Sequence, residues 1–214
     1  MKNKWVMPAL FLVVFAVSRI PGLLPPNFSA AYALAFCAGV YFPGRMAWWL
    51  PLGALVVTDL GLNLYYLFAL GIPVFEAEKL FYLMVNYGGY VLLILLGRRF
   101  SAKSSFLSLL GGGLLGALLF YLITNTASWL FNPFGNPEYT HKSLWSWLLA
   151  LTKGVSHWPS TWEFFRNTLS SGGLFTGLFV GAMKLSEAAE SAEEKDDEPE
   201  EEAEPEAKPD EAKA

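Results

Sequence analysis

Six apolar runs separated by short polar breaks constrain this chain more than any other feature: residues 5–22, 29–43, 47–70, 78–97, 105–131 and 161–184. A helix needs about 20 apolar residues to cross the hydrocarbon core of a bilayer, and only helices or closed barrels satisfy their own backbone there. The runs are too long and continuous for barrel strands. The expected fold is therefore all-α, a polytopic membrane bundle of about six transmembrane helices. The second run is short and is expected to tilt or to span incompletely. Lys2 and Lys4 ahead of the first run mimic a signal peptide, but equally apolar runs follow and no convincing small-residue cleavage site comes after it, so it is read as a span. The stretch 143–151 is amphipathic and carries Trp145 and Trp147, with Trp158 nearby; indole rings favour the headgroup level, so it is expected to lie at the membrane interface.

Charge divides the chain in two. Residues 1–184 hold twelve Lys/Arg and five Asp/Glu, a net of +7, whereas 185–214 hold three Lys and fourteen Asp/Glu, a net of −11. The second part lacks aromatic residues and cannot bury enough apolar surface to offset the entropy of ordering, which predicts a disordered acidic tail. The domain reading is thus a transmembrane helical domain over 1–185 and a disordered cytoplasmic tail over 186–214. With the N-terminus inside, Arg45, Arg98, Arg99, Lys103 and Lys184 fall on the inner face. The positive-inside rule then puts both termini in the cytoplasm of a bacterial cell (inner) membrane protein. Lys142 and Lys153 in the long outer loop weaken the bias without reversing it.

Charged and amide side chains in a bilayer are costly and normally face a bundle interior or a wet cavity. Here they are Asp59 and Asn63 in the third run, Asn86 in the fourth, Thr124, Asn125 and Ser128 in the fifth, and Arg166 and Asn167 in the sixth, with Arg19 and Asn27 flanking the first outer loop. At 1.5 Å rise per residue, Asn86 lies roughly 12 Å below the outer end of its span, and Asn125, Arg166 and Asn167 lie roughly 8 to 9 Å below theirs. Asp59 falls near the midplane with Asn63 one turn further out. Random placement on alternating segments scatters such residues over both leaflets, so an outward-opening polar pocket is expected, with Trp129 and neighbouring aromatics packing on a ligand. The competing reading of each amide is interhelical hydrogen bonding. Asp59 must either pair with a cation or take up a proton; Arg166 and Arg19 are the available partners, and an Asp59–Arg166 pair fits.

Small residues four apart, Gly112 with Gly116, Gly173 with Gly177 and Gly181, and Ala31, Ala35 and Gly39, predict close helix packing. Pro51 and Gly61 predict a kinked or irregular third helix. Cys37 reads as a small buried hydrophobe. His141 and His157 have no cysteine or paired carboxylate beside them, so neither a metal nor another cofactor is expected. With no Gly-x-Ser-x-Gly elbow, no Walker A sequence and basic residues confined to membrane boundaries, neither an enzyme nor a nucleic-acid binder is expected.

Ordered blocks across 5–184 resemble an uncharacterised bacterial six-helix membrane protein family. They are Arg19 with Pro25, Pro26, Asn27 and Phe28; the small-residue run 31–39 with Tyr41 and Phe42; Pro51, Leu52 and Asp59; Thr124, Asn125 and Trp129; and Phe164, Phe165, Asn167, Thr168 and Leu169. That family in turn looks like the substrate-binding S components of energy-coupling-factor vitamin transporters. Leu24 stands where a His is expected before the Pro-Pro-Asn-Phe block, and Gly172 and Gly173 stand where an acidic residue often follows the Asn-Thr-Leu block.

The resemblance implies a subunit that captures a vitamin or related small molecule from outside, energised by a separate transmembrane coupling subunit and ATPases. The expected site is Asp59, Asn63, Asn86, Asn125, Trp129, Arg166 and Asn167, with Arg19 and Asn27 at its mouth. The alternative is a non-transporting structural or assembly membrane protein whose acidic tail recruits a basic partner.

Overall fold

The computed structural model describes residues 5–74, 76–133, 135–155 and 159–196. Lys2, Lys4, His157, Trp158 and the tail from 197 onward lie outside the described residues. Within them the fold is all-helical: α1 (Val6–Ser18), α2 (Ala31–Tyr41), α3 (Met46–Leu70), α4 (Ala77–Gly97), α5 (Phe106–Phe131), a 3-10 turn at Pro137–Tyr139, α6 (Leu144–Thr152) and α7 (Thr161–Asp196).

Three helical segments, Met46–Leu70, Leu80–Gly97 and Phe106–Phe131, are long and apolar enough to cross a membrane. Two of the six expected spans come out shorter. α1 has 13 residues and α2 has 11, lengths of roughly 20 and 16 Å against a hydrocarbon core of about 30 Å. For α2 the packing supplies the reason. Residues 31–39 are all buried, with Leu34, Phe36 and Cys37 fully so, because α3, α4, α5 and α7 surround it. It is the central post of the bundle, and its apolar character serves the core.

Small residues make that position possible. At the crossing of α2 and α4, a Cβ on Gly39 would sit far inside contact with the Ile94 carbonyl, and one on Gly97 would strike the Phe36 carbonyl. The two backbones therefore touch, an arrangement in which Cα–H groups face carbonyl oxygens. Gly112 lies beneath the rings of Phe36 and Phe100 and Gly116 against Leu93, whereas the seam between α5 and α7 is made by Gly113 on Thr176 and Gly172 on Ala117. Of the expected glycines, Gly112 and Gly116 thus face α2, α4 and the connection after α4, whereas Gly173 on Leu114 and Gly177 on Leu110 and Phe106 join the α5–α7 seam.

α3 is helical throughout, Pro51 and Gly61 included, so of the kinked or irregular helix expected beside Asp59 the broken backbone is not found, and it stops at Gly71 in the left-handed region (φ 65). From Val57 on it carries little packing: Val57 is 70% and Phe68 79% exposed.

The start of the acidic segment departs from expectation. α7 continues unbroken through 186–196, where a disordered coil had been expected. The Ala and Glu residues there are strong helix formers, and extending a packed helix avoids the nucleation cost that an isolated segment meets.

Candidate functional site

The loops joining α1 to α2, α3 to α4 and α5 to α7 gather at one end of the bundle, and the basic residues Arg45, Arg98, Arg99 and Lys103 lie in the connections at the other. At the first end is a chamber of about 870 Å3. Its wall is built at helical spacing: Tyr82, Asn86 and Tyr90 descend α4, Tyr121, Asn125 and Ser128 descend α5, and Thr161, Phe164 and Thr168 line the first turns of α7. Residues three or four apart share a helix face, so α4 and α5 each present a mixed aromatic and amide strip, and α7 a phenyl ring between two threonine hydroxyls.

The remaining wall is the α1–α2 connection. The Phe28 amide donates to the Pro25 carbonyl at 3.0 Å, and Asn27 has a positive φ of 61°. Pro-Pro-Asn-Phe thus forms a turn with proline second and a left-handed residue third, the signature of type II. The Asn167 amide donates to the Pro26 carbonyl at 2.9 Å, fastening the turn to α7. Where α2 begins, the Ala30 amide donates to Ser18 Oγ at 3.0 Å and the Ala31 amide to Ser29 Oγ at 3.2 Å, meeting donors that a helix start leaves unsatisfied.

The long α5–α7 connection contributes Asn136, Tyr139, Gly154, Val155 and Pro159 to the lining and contains α6. α6 is capped by reciprocal hydrogen bonds between Ser143 and Ser146 and is tied to α5 by Trp129 Nε1 on Ser146 Oγ at 2.8 Å and Trp147 Nε1 on Thr126 Oγ1 at 3.0 Å. Leu144, Trp145 and Leu148 face outward, which is the amphipathic pattern read from 143–151. Tyr139, from the turn before α6, also lines the chamber; burial first and neighbouring Glu138 second raise its phenol pKa, keeping it a neutral donor.

Arg19, Asn27, Asn86 and Asn125 line the chamber, and Asp59 and Asn63 line an adjoining groove of about 570 Å3 between α3 and α4. Trp129, Arg166 and Asn167 line neither. Trp129 anchors α6 and Asn167 anchors the turn, while Arg166 points outward. The Asp59–Arg166 pair is replaced by an ion pair between Arg19 Nη2 and Asp59 Oδ1. The topology explains this, since α7 packs against α5 and α2, whereas α3 packs against α1, α2 and α4. Tyr87 completes the arrangement by donating its hydroxyl to Asp59 Oδ2 at 2.9 Å.

Comparison with protein families decides the affiliation: the DUF6580 model, described as a family of unknown function, matches residues 1–194. The chain belongs to the DUF6580 family. No curated protein and no solved structure matches it. For this DUF6580 chain the uncharacterised family implied by the ordered blocks is thus in hand, and the likeness to S components has no counterpart in the comparisons.

Sequence reasoning missed the tyrosines of this DUF6580 chamber. Tyr32, Tyr66, Tyr82 and Tyr90 all line it, and the signal for the last two was their spacing around Asn86. Arg19 is the one charged residue among the described lining residues, and its charge is met by Asp59. The Asn125 amide donates to the Tyr121 carbonyl at 2.9 Å, which leaves its own carboxamide oxygen available as an acceptor. Such a site can stack a ring and hydrogen-bond an uncharged polar edge.

Proposed function

We propose that this protein is a multi-pass membrane subunit of the bacterial inner membrane that captures a small molecule in the chamber, in the manner of an S component. A separate transmembrane coupling subunit and ATPases supply the energy. The observation that carries this reading is the chamber itself: a void of about 870 Å3, within the range of small-molecule sites, walled by rings and carboxamides from α4 and α5. The basic connections at the opposite end support an orientation with the chamber outside and both termini in the cytoplasm. α1, α2 and α7 then complete a bundle whose full spans are α3, α4 and α5.

Native mass spectrometry of the full chain released from nanodiscs tests this. The expected result is a retained small molecule in the wild type that is lost in Asn86→Leu and Asn125→Leu. Identical, unliganded spectra for all three overturn the proposal.

One observation favours a second reading. Glu187 and Glu190 are exposed on the helical extension of α7, a ready surface for a basic cytoplasmic partner. If no molecule is retained, and removing residues 187–214 releases a co-purifying basic protein, the assembly role stands instead.

A further inference from the structure

The chamber and the α3–α4 groove are separated by a partition one side chain thick, since Tyr82 and Asn86 line both. α3 forms the facing jamb, with Leu62 and Tyr66 toward the chamber and Val56, Asp59, Leu60 and Asn63 toward the groove. Among the described residues the packing of α3 on α4 is sparse. Val56, Val57, Leu60 and Phe68 are exposed, and a Cβ on Gly61 of α3 or Gly88 of α4 would meet nothing within 4 Å. Across the seam the Tyr87 hydroxyl of α4 donates to Asp59 of α3, and Arg19 at the end of α1, on the chamber wall, grips the same carboxylate.

From this geometry we infer that the seam between α3 and α4 is a lateral portal, latched by Arg19, Asp59 and Tyr87, through which the chamber exchanges an uncharged amphiphile with the bilayer. The inference rests on the chamber being a ligand site. It adds the ligand's class. A molecule passing between Leu60 and Met84, both exposed on the groove rim, has to be soluble in lipid. Once inside it meets rings and carboxamides, with Arg19 already occupied by a carboxylate. An apolar ring or chain with a neutral hydrogen-bonding head fits both environments, and a permanently charged solute fits neither.

The test needs no knowledge of the ligand. In full-length protein with Cys37→Ala, reconstituted in nanodiscs, a cysteine is placed in the chamber (Asn125→Cys) or on the groove (Met84→Cys). Each is reacted with a water-soluble trimethylammonium methanethiosulfonate and with pyrene maleimide dissolved in the bilayer. Adding Asp59→Leu, which removes the acceptor for both Arg19 and Tyr87, is expected to speed the bilayer reagent at Asn125→Cys by about tenfold, the scale of losing one hydrogen bond to a charged group from the closed population. The water-soluble reaction there, and the bilayer reaction at Met84→Cys, stay unchanged. Tyr87→Phe, which removes the cross-seam hydrogen bond and leaves the ion pair intact, gives a rise of the same direction and replaces Asp59→Leu if that variant fails to fold. Unchanged bilayer labelling at Asn125→Cys in every folded latch variant overturns the portal. These rates are independent of whether mass spectrometry finds a retained molecule, so failure of the portal and failure of the capture role give different results.

Discussion

The Tyr87 hydroxyl donates to Asp59 at 2.9 Å while Arg19 grips the other carboxylate oxygen, so one acidic side chain joins the end of α1, the middle of α3 and the middle of α4. The Asp59 and Arg19 side chains are only 15% and 20% exposed. Removing either partner leaves the other partly desolvated with no counter-charge. Asp59→Ala is expected to cost about 1–3 kcal/mol, and Arg19→Ala a similar amount. Because the second loss repeats the first, the double variant should be markedly less unstable than the sum of the two. Thermal unfolding of all four proteins in one detergent measures the coupling, and strict additivity would show that the pair contributes nothing.

The contact of Gly39 with Gly97 makes a sharper prediction. An added methyl at Gly97 meets backbone, which cannot rotate away, so Gly97→Ala is expected to destabilise by about 1–3 kcal/mol as an overpacked core does. Gly88→Ala adds the same methyl where nothing lies within 4 Å and should be neutral or slightly stabilising. Equal melting temperatures for the two variants would contradict the close crossing.

Asn27 tests the turn at the chamber mouth. Its positive φ is tolerated by glycine and asparagine but strongly opposed by β-branched residues. Asn27→Gly should retain stability within about 0.5 kcal/mol, and Asn27→Val should lose about 1–2 kcal/mol. A folded Asn27→Val protein with unaltered melting would exclude the left-handed turn.

Trp129 and Asn125 both belonged to the expected site, and the structure separates their roles. Trp129→Phe removes the indole donor to Ser146 and should loosen α6 by about 1 kcal/mol, seen as faster amide exchange over 143–151. Asn125→Leu should weaken ligand retention about tenfold with little change in α6 exchange, since a lost hydrogen bond to an uncharged edge is worth about that much. A variant of either residue that shows the other's phenotype reverses the assignment.

Hydropathy made the helical elements legible because apolar continuity is a local property. The start of α7 at Thr161, the helical 143–151 stretch and the α3 to α5 segments all follow from it. Burial of α2 was hidden, since an Ala-rich run looks the same beside lipid as beside four helices. The helical continuation to Asp196 was masked by a composition rule that ignores what the segment is attached to. At the site, depth counting found Asn86 and Asn125 because they face inward on consecutive helices. It grouped Arg166 and Asn167 with them although neither lines the chamber, since equal depth says nothing about azimuth, and one residue step turns a helix by about 100°. The choice of Arg19 over Arg166 as partner of Asp59 depended on which helices are neighbours, which no single segment encodes.

α7 contributes Thr161, Phe164 and Thr168 to the chamber and runs on to Asp196 as one piece. Its 36 residues make a rod of roughly 54 Å, far longer than the bilayer's apolar slab is thick. A lever of that length magnifies small displacements: a tilt of about 5° at Thr161 sweeps the far end through about 5 Å. In the proposed orientation, a small tilt of α7 at the chamber would be read out at its opposite end as a displacement of the acidic extension.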